Sequence, residues 1–571
     1  MGEEVFLPIG VSDFRELIID KSPITGENYA YVDKSLLIKE VLGDSNKVIV
    51  LLRPRRFGKS LNLSMLQYFF AAEVNRQPTA GLFDSLAIAK EAGCMALQGK
   101  KPVIFITFKD VKDNKFDDFL NNIADVMARS YREHEKLFDQ WELNKVERND
   151  VDAILEQRAS KVALSKSILR LSEILYKYQG IRPFLLLDEY DTPLQVAYSK
   201  GYYQEAVEFL RSLLCSGLKD NGNLQKAVLT GILRVAKESL FSGLSNVGIY
   251  SAFNLEYAEQ FGFTEKEVND LLTKAKLTSQ AAMVKKWYNG YNFGDLTIYN
   301  PWSIIKFIAD KRHELQAHWV NTSDNALVET LVTTMPPEVQ RNFAALIAGG
   351  VIERKIDENI VFSGLDKNLD AIWSLLLLSG YITWNSYQIS GTKRLCQLRL
   401  PNKEVEGFYT DTIEEWISGK HSTQWYSEFL ADLAEGRVAE FEEKLQTLVT
   451  QTFSYHDVST RYQESFYQGL MLAFVSGLKA THIIKSNKEA GMGRYDIALI
   501  PKDANRLGII IELKAVATTK GLEKVATEAL EQIKNHQYVA ELAAHGINRK
   551  VLLGIACAGK KIKVVAAGDI A

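Results

Sequence analysis

The sequence lacks an apolar run long enough to cross a bilayer, and its few cysteines are widely spaced. Glu3 and Glu4 also stand where a secretory signal would carry positive charge. The cysteines show no metal-ligand spacing, so they predict reduced, mostly structural thiols. They are Cys94, Cys215, Cys396 and Cys557. These absences predict a cytoplasmic protein without a membrane partner.

Proline is scarce, and neither sign of charge dominates. The chain has 12 prolines in 571 residues, and its formal net charge is −3. Together with an apolar fraction of 46%, the scarce proline argues against long disordered segments. Without a basic excess, any nucleic-acid contact must come from local patches. The length predicts about three to five domains of ordinary size.

A basic loop separates an apolar run at 48–52 from a helical pattern at 61–70. In a phosphate-binding loop, backbone N–H groups face the anion, a lysine reaches the β- and γ-phosphates, and a serine or threonine holds Mg²⁺. Gly58, Lys59 and Ser60 have the spacing for these roles. Arg53 replaces the first glycine of the usual pattern, which leaves a basic turn between a strand and a helix as the alternative.

A second apolar run, at 184–187, ends in two carboxylates, Asp188 and Glu189. In P-loop enzymes the first such residue holds Mg²⁺, and a following glutamate orients or deprotonates the attacking water. An acidic turn that caps a helix is the alternative. The loop and the acidic pair support each other, since both belong to one pattern of alternating strands and helices. Together they predict an ATP site that uses Mg²⁺.

Four arginines near this predicted site have more than one interpretation. Arg234 follows the next predicted strand, where residues that sense the γ-phosphate are common, although a surface salt bridge explains it equally well. Arg53, Arg55 and Arg56 could contact nucleotide phosphates, reach a neighbouring protomer or pair with the acidic turn. The predicted nucleotide-binding residues are Arg55, Arg56, Phe57, Gly58, Lys59, Ser60, Asp188 and Arg234.

Three charged residues interrupt two apolar runs near the C-terminus. Asp496 lies in the first run, and Glu512 and Lys514 lie two residues apart in the next. Strand alternation places Glu512 and Lys514 on one face, and Asp496 joins them if the two strands pair. Two carboxylates can bind Mg²⁺ or Mn²⁺, and the lysine can polarise a water for attack on a phosphodiester. The arrangement is that of a nuclease site, although these residue types also occur together by chance.

Neighbouring residues add to this predicted nuclease site. Glu464 on a preceding helix could supply another carboxylate, and Gln532 on a following helix could steady the metal-bound water or the DNA backbone. Local positive charge for phosphates comes from Lys485, Lys488 and Arg494, with solvated surface charge as the plain alternative. The predicted catalytic residues are Glu189, Glu464, Asp496, Glu512 and Lys514, and the predicted metal ligands are Ser60, Asp188, Asp496 and Glu512.

Strands alternate with helical segments in the first half of the chain, and polar residues gather at the strand ends. This order predicts an α/β domain with a mostly parallel sheet. From about residue 255 the composition becomes helical and aromatic, which predicts a helical or winged-helix connector. The predicted domains are an ATPase domain at 1–254, the connector at 255–404 and a nuclease-like α/β domain at 405–571.

The whole pattern resembles a bacterial family of predicted ATP-binding proteins that join an AAA-ATPase-like domain to a PD-(D/E)XK nuclease domain and are related to STAND-type P-loop ATPases. The family also has arginine at the position of Arg53. Its members often carry Tyr-His after the helical glutamate, whereas Tyr467 is followed here by Gln468. The matching stretches span nearly the whole chain, at residues 7–14, 31–34, 53–60, 187–193, 230–231, 241–244, 299–301, 401–405, 493–496 and 511–514.

The resemblance implies a P-loop ATPase joined to a restriction-endonuclease-like domain. The implied cofactors are ATP and Mg²⁺ or Mn²⁺, and the implied partner is nucleic acid, with DNA favoured over RNA. Nucleotide state would control the nuclease, a homo-oligomer is compatible with this scheme, and defence against mobile DNA is the setting by analogy. Two alternatives stay open. One is a nucleotide-controlled switch or assembly platform whose C-terminal domain does not cleave, and the other is a chaperone-like or toxin-type ATPase that acts on protein.

Overall fold

The computed structural model describes residues 5–234, 246–320, 337–347, 349–359, 369–418, 422–452, 463–490, 493–535 and 539–569. The chain forms two compact units. The first contains residues 1–323, 354–396 and 401–404, and the second contains residues 324–353, 397–400 and 405–571. The division into three domains at residues 254 and 404 stays a prediction.

Helices occur throughout the described chain. Those up to residue 309 are α1 Phe14–Ile19, α2 Leu37–Gly43, α3 Lys59–Phe70, α4 Ala92–Met95, α5 Phe116–Arg132, α6 Glu135–Gln140, α7 Lys145–Leu155, α8 Lys161–Ser165, α9 Ser167–Gln179, α10 Thr192–Lys200, α11 Tyr203–Leu218, α12 Glu265–Lys274, α13 Ala281–Tyr288 and α14 Pro301–Ala309. Those that follow are α15 Pro337–Ile347, α16 Leu369–Leu378, α17 Lys403–Ser418, α18 Thr423–Glu435, α19 Val438–Thr452, α20 Gln463–Phe474, α21 Leu522–Asn535 and α22 Ala540–Ala543.

The strands fall into two large sheets and several small ones. Up to residue 298 they are β1 Val48–Leu52, β2 Glu73–Val74, β3 Gln77–Pro78, β4 Val103–Thr107, β5 Phe184–Asp188, β6 Lys226–Gly231, β7 Val247–Tyr250, β8 Tyr291–Phe293 and β9 Leu296–Ile298. Further along the chain they are β10 Ile352–Ile356, β11 Thr383–Ser390, β12 Lys393–Arg399, β13 His482–Ala490, β14 Gly493–Pro501, β15 Gly508–Ala515, β16 Lys550–Ala558 and β17 Lys561–Gly568.

The first unit is built on a parallel sheet of five strands in the order β4-β5-β6-β1-β7. In its register, Val50 of β1 lies between Leu229 of β6 and Ile249 of β7. Strands β1, β5 and β6 are buried along their whole length, as expected for a parallel sheet that is covered on both faces. The predicted α/β fold with a mostly parallel sheet is therefore confirmed. Because β6 lies between β1 and β5, the loops that follow these three strands meet at one edge.

A second apolar cluster in the first unit forms around α12, α13 and α14. Its buried members include Val268, Leu272, Val284, Tyr288 and Phe307. The local sequence explains how α12 begins, since the Thr264 side chain accepts from the N–H of Glu267 while the Glu267 carboxylate accepts from the N–H of Thr264.

The second unit contains a mixed sheet in the order β13-β14-β15-β16-β17. Strands β15 and β16 are parallel, and the other neighbours are antiparallel. Ile511 in β15 therefore lies between Ile497 of β14 and Leu553 of β16. Leu530 and Ile533 of α21 belong to the buried cluster on this sheet. The predicted α/β fold of the C-terminal region is confirmed.

Gly554 allows α21 to pack closely on β16. A Cβ atom at this position would lie 2.1 Å from the carbonyl oxygen of Ala526 and 2.5 Å from the backbone nitrogen of Leu530. Both obstacles are backbone atoms of the helix, so they cannot rotate away. The absence of a side chain at Gly554 therefore fixes the distance between α21 and the strand next to β15.

Across the described ranges, no helix is both long enough and apolar enough to cross a membrane. All four cysteines lie in the described residues as thiols rather than disulfides, and Cys396 and Cys557 are buried.

Candidate functional site

The phosphate-loop candidate joins β1 to α3. Helix α3 begins at Lys59, directly after Gly58, whose φ of +86° places it in the left-handed region. A Cβ atom at Gly58 would meet no atom within 4 Å. Glycine is therefore favoured here by backbone conformation rather than by lack of space.

The Lys59 ammonium lies inside the loop. Its Nζ donates to the carbonyl oxygens of Arg53 at 3.0 Å and Pro54 at 2.9 Å, and the side chain is buried. Burial lowers the pKa of Lys59, while the nearby carboxylates of Glu189 and Asp188 oppose this shift. The predicted phosphate-binding lysine is thus held in the loop and within electrostatic reach of the acidic pair.

Asp188 is the last residue of β5, and its carboxylate lies between the end of β6 and the start of α3. Its carboxylate accepts a hydrogen bond of 2.5 Å from the Thr230 hydroxyl at the end of β6 and another from Ser60 at the start of α3. Burial raises the pKa of Asp188, and these two hydrogen bonds oppose the shift. The structure therefore brings Ser60 and Asp188, the predicted Mg²⁺ ligands, into direct contact.

Glu189 has an uncommon backbone conformation. Its φ is +52°, in the left-handed region of the backbone. Residues other than glycine rarely adopt this conformation, and when they do they are often at functional sites. The carboxylate accepts a hydrogen bond of 3.0 Å from the Thr192 hydroxyl. Its charge also acts on Lys59 and on Arg56. The structure thus places the predicted catalytic carboxylate next to the loop.

Asp191 is a site residue that the sequence did not single out. Its Oδ2 accepts from the N–H groups of Ile232 at 3.0 Å and Leu233 at 2.9 Å, and from the side-chain amide of Gln195 at 3.0 Å. Burial raises the pKa of Asp191, and the two backbone hydrogen bonds oppose the shift. Asp191 therefore ties the acidic turn after β5 to the segment after β6. An acidic residue three positions after Asp188 was the available signal, but its backbone partners, Ile232 and Leu233, lie 41 and 42 positions further along the chain.

The three loop arginines have different surroundings. Arg53 is fully buried, and its guanidinium donates to the carbonyl oxygens of Tyr250 at 3.1 Å and Tyr257 at 3.2 Å. Burial lowers the pKa of Arg53 to about 9. Arg55 donates to Gln195 at 3.1 Å, the same side chain that binds Asp191.

The remaining loop residues also have defined partners. The guanidinium of Arg56 lies 4.4 Å from the ring centre of Trp302, close enough for a cation–π interaction. The buried ring of Phe57 packs edge-on against Tyr291 at 5.0 Å and contacts Phe293. Of the predicted alternatives, bracing of the acidic turn thus describes Arg55, whereas Arg53 and Phe57 anchor the loop to the core.

Arg234 lies three residues beyond the end of β6. It is partly buried, and its charge acts on Tyr190 next to the acidic pair. Within the described part of the chain, its Nε is enclosed and has no hydrogen-bond partner. The structure places this predicted nucleotide contact beside the acidic turn.

The nuclease candidate lies where β14 meets β15. The ladder between these strands extends to the pair Ile497 and Ile511. One residue further, Asp496 Oδ2 accepts from the backbone N–H of Leu513 at 2.7 Å. The expected pairing of the two strands therefore brings Asp496 next to the segment that carries Glu512 and Lys514.

Glu512 and Lys514 both lie on β15, as the sequence indicated. Glu512 is buried, with 5% of its surface exposed, and its Oε1 accepts a hydrogen bond from the Gln532 amide on α21. Lys514 is partly exposed. Gln532 therefore orients the Glu512 carboxylate directly, a more specific contact than the sequence suggested.

The side chains of Glu464, Lys488 and Arg494 lie outside the described residues. Lys485 forms an ion pair with Glu541. Gln468, which stands where the resemblance predicts histidine, donates from its amide to the carbonyl oxygen of Asp496 at 3.3 Å.

The carboxylates of each site suit a hard cation. Mg²⁺ and Mn²⁺ prefer oxygen ligands, which Ser60 and Asp188 offer at one site and Asp496 and Glu512 at the other. Within the described ranges, no group of three or more histidine, cysteine, aspartate or glutamate residues has the arrangement of a metal site. The oxygen donors present at each site therefore fit a hard cation.

Family comparisons identify the two parts of the chain. Residues 8–241 match a family described as "Predicted AAA-ATPase", and residues 462–567 match the "PD-(D/E)XK nuclease superfamily". The chain carries an AAA-ATPase-like domain and a PD-(D/E)XK nuclease superfamily domain. The ATPase-like match includes the loop of Lys59 and the acidic pair after β5. The nuclease-superfamily match includes Asp496 and Glu512.

Two individual proteins are also similar. A protein of Azotobacter chroococcum mcd 1 with the description "Uncharacterized protein in vnfD 5'region" is 24% identical over 554 residues, which cover 95% of this chain and 94% of that protein. A solved structure, "Structure of the Aeropyrum Pernix ORC2 protein (ADPNP-ADP complexes)", is 12% identical. It covers 68% of this chain and 96% of its own, with a TM-score of 0.31.

Proposed function

We propose that this protein binds and hydrolyses ATP in its AAA-ATPase-like domain, and that the nucleotide state controls metal-dependent cleavage of nucleic acid by its nuclease-superfamily domain. Support comes from the presence of both domains on one chain. The observation that carries the ATP half is the junction of Ser60, Asp188 and Thr230 beside the loop of Lys59.

In the ATP half, each of the candidate site residues has a defined role. Lys59 would exchange its contacts with the loop carbonyls for contacts with the β- and γ-phosphates. Ser60 and Asp188 would hold Mg²⁺, which neutralises phosphate charge when bound. Glu189 would accept a proton from the attacking water, and its hydrogen bond to Thr192 would fix the carboxylate.

Two substitutions separate ATP binding from ATP hydrolysis. In Lys59→Ala, we expect ATP binding to fall at least tenfold. Glu189→Gln should still bind ATP but should hydrolyse it about 100-fold more slowly, as is typical for loss of a general base. Glu173→Gln, on α9, is a matched control for the loss of a partly exposed carboxylate. Full ATPase activity in Lys59→Ala would contradict the assignment.

In the nuclease half, Asp496 and Glu512 would hold Mg²⁺ or Mn²⁺, which would polarise the scissile phosphodiester when bound. Asp496 and Gln532 fix the local geometry through their hydrogen bonds to Leu513 and Glu512. Lys514 would orient the attacking water, and Glu464 would assist from α20. DNA is the proposed substrate rather than RNA.

A cleavage assay tests this half separately. The full chain is incubated with single-stranded DNA, double-stranded DNA or RNA in Mg²⁺, Mn²⁺ or EDTA. We expect metal-dependent cleavage that Glu512→Gln and Lys514→Ala reduce by at least 100-fold. Glu531→Gln and Lys534→Ala remove an exposed ion pair on α21 and serve as matched controls. DNA binding without cleavage under every condition would favour a nucleotide-controlled platform instead.

The biological setting that we propose is defence against mobile DNA, by analogy with other two-domain ATPase–nuclease proteins. A homo-oligomer would allow Arg56 or Arg234 to approach a neighbouring ATP site. Sedimentation of the full chain with and without ATP measures the oligomeric state. A monomer under both conditions would exclude a contribution from a neighbouring protomer.

A further inference from the structure

A cleft of about 910 Å³ lies at the amino ends of the strands in the first unit's sheet, opposite the ATP site. Val103, the first residue of β4, lines the cleft, whereas the ATP-site residues follow the carboxyl ends of β1, β5 and β6. All five strands are parallel, so the beginnings and ends of the strands mark opposite edges. The volume lies within the range of small-molecule sites, roughly 300–1,000 Å³.

The cleft is basic although the protein as a whole is slightly acidic. Six of its lining residues are lysine or arginine and three are glutamate, so its formal charge is +3 against −3 for the chain. Within the described ranges, no ion pair involves the side chains of four of these cations, which are Arg76, Lys100, Lys101 and Arg132. Such a concentration of unpaired positive charge favours a phosphorylated ligand.

His134 adds a buried acceptor to the cleft wall. The side chain is 8% exposed, and its Nε2 is enclosed without a hydrogen-bond partner among the described residues. Burial lowers the pKa of His134 to about 4, although an interaction with the backbone of Val103 opposes this shift. The ring is therefore neutral at pH 7. Nε2 is therefore a buried polar atom without a partner in the described protein, and a hydrogen bond to a ligand would satisfy it.

Glu133 precedes His134 and also lines the cleft. Its side chain is exposed to solvent. The cleft thus combines phosphate-attracting cations with a carboxylate and an imidazole that can form hydrogen bonds.

We propose that this cleft is a second ligand site, which binds a small phosphorylated molecule that also carries an N–H or O–H donor, the chemistry of a nucleotide. Lys100, Lys101 and Arg132 bind the phosphate group. His134 accepts a hydrogen bond from the other end of the ligand. The site is separate from the phosphate loop of Lys59.

The test uses the full chain with Lys59→Ala, so that the phosphate loop does not contribute, in buffer with EDTA. Isothermal titration with 5′-AMP, 5′-GMP and pyrophosphate measures binding at the cleft. We expect one site for at least one of the two nucleotides, with weaker binding of pyrophosphate. Adding Lys100→Ala/Lys101→Ala should raise the Kd at least tenfold. Lys311→Ala/Arg312→Ala, which removes two adjacent exposed cations elsewhere, should leave the Kd unchanged.

A second pair of variants tests the polar end of the site. His134→Phe removes the acceptor and should weaken nucleotide binding without changing the Kd for pyrophosphate. Equal melting temperatures of His134→Phe and its parent would show that the fold is intact, and the Lys100→Ala/Lys101→Ala comparison does not depend on this variant. The proposal is overturned if no probe binds at millimolar concentration, or if Lys100→Ala/Lys101→Ala binds nucleotide as tightly as its parent. Because Lys59 is already substituted, these outcomes are independent of ATP hydrolysis at the phosphate loop.

Discussion

The indole N–H of Trp319 donates a hydrogen bond of 3.2 Å to the carbonyl oxygen of Arg55, in the middle of the phosphate loop. The backbone N–H of Trp319 is itself held by the Glu404 carboxylate at 2.5 Å. The Trp319 ring lies edge-on to Tyr291 at 6.0 Å, and Tyr291 packs against Phe57 of the loop. This loop is therefore anchored by aromatic side chains, in addition to the backbone freedom that glycine supplies to phosphate loops.

Trp319→Phe keeps an aromatic ring but removes the donor to Arg55. We expect a loss of about 2–3 kcal/mol in stability, because the smaller ring leaves a cavity at this buried position and the carbonyl oxygen of Arg55 loses its donor. The Kd for ATP should also rise severalfold because the loop carbonyl is no longer fixed. Thermal melting and equilibrium ATP binding measure the two effects. Trp141→Phe, at a ring stacked 5.1 Å from Tyr178, controls for loss of an indole. An unchanged Kd for ATP would show that this contact does not support the loop.

Glu404 should make stability depend on pH. Its carboxylate accepts from the N–H groups of His318 and Trp319 and from the Ser303 hydroxyl. Burial raises the pKa of Glu404 to about 7, and these hydrogen bonds oppose the shift. Since the folded-state pKa lies above the unfolded value near 4.5, its stabilising contribution is complete below pH 4.5 and is lost as the pH rises through 7.

Glu404→Gln should remove that pH dependence while keeping the shape of the side chain. Because burial lowers the pKa of His318, this histidine acts in the opposite direction, and the difference between parent and variant isolates Glu404. From pH 5 to 8 we expect the parent to lose up to about 3 kcal/mol more stability than the variant. Melting temperatures across this range measure the difference. Parallel curves for parent and variant would contradict the assignment.

Gly554→Ala should disrupt the packing of α21 on β16, because the new Cβ meets backbone atoms of the helix. We expect a loss of about 3 kcal/mol, at the upper end of overpacking effects, together with loss of any nuclease activity that depends on Gln532. The control is Gly407→Ala in α17, where the new Cβ would meet no atom within 4 Å. We expect this variant to have unchanged or slightly higher stability. Equal melting temperatures for the two variants would show that α21 can move away from the strand.

Gln532→Ala should affect the metal bound at Glu512 rather than the fold. Loss of a residue that orients a metal ligand typically weakens metal binding by about 10-fold to 100-fold. Titration with Mn²⁺ measures affinity, and the metal dependence of cleavage gives a second readout. Glu531→Ala, at the adjacent exposed position on the same helix, is the control. Equal Mn²⁺ affinity in the two variants would exclude a positioning role for Gln532.

Apolar runs made much of the fold predictable from the sequence. Strands β1, β4 and β5 are nearly continuous stretches of valine, isoleucine, leucine and phenylalanine, and a polar residue follows within two positions of each. Strand β7 was not predicted because it is short and contains Gly248, and β17 was not predicted because lysines interrupt it. Periodicity therefore located the buried strands but not the ones with mixed composition.

The residues of the candidate sites were predictable where their chemistry is local. Lys59 and Ser60 are adjacent, and Glu512 and Lys514 are two positions apart. The role of Arg53 was not predictable, since its carbonyl partners at Tyr250 and Tyr257 lie about 200 positions further along the chain. Such contacts depend on how the chain folds back on itself, so they produce no recognisable spacing pattern in the sequence.

Cleavage of DNA by the full chain, with and without ATP, tests nucleotide control most directly. We expect ATP to change the cleavage rate of the parent and to have no effect on Lys59→Ala. Glu189→Gln should keep the rate of the ATP-bound state for as long as ATP is present. A parent that hydrolyses ATP but cleaves DNA at one rate in its presence and absence would contradict the account.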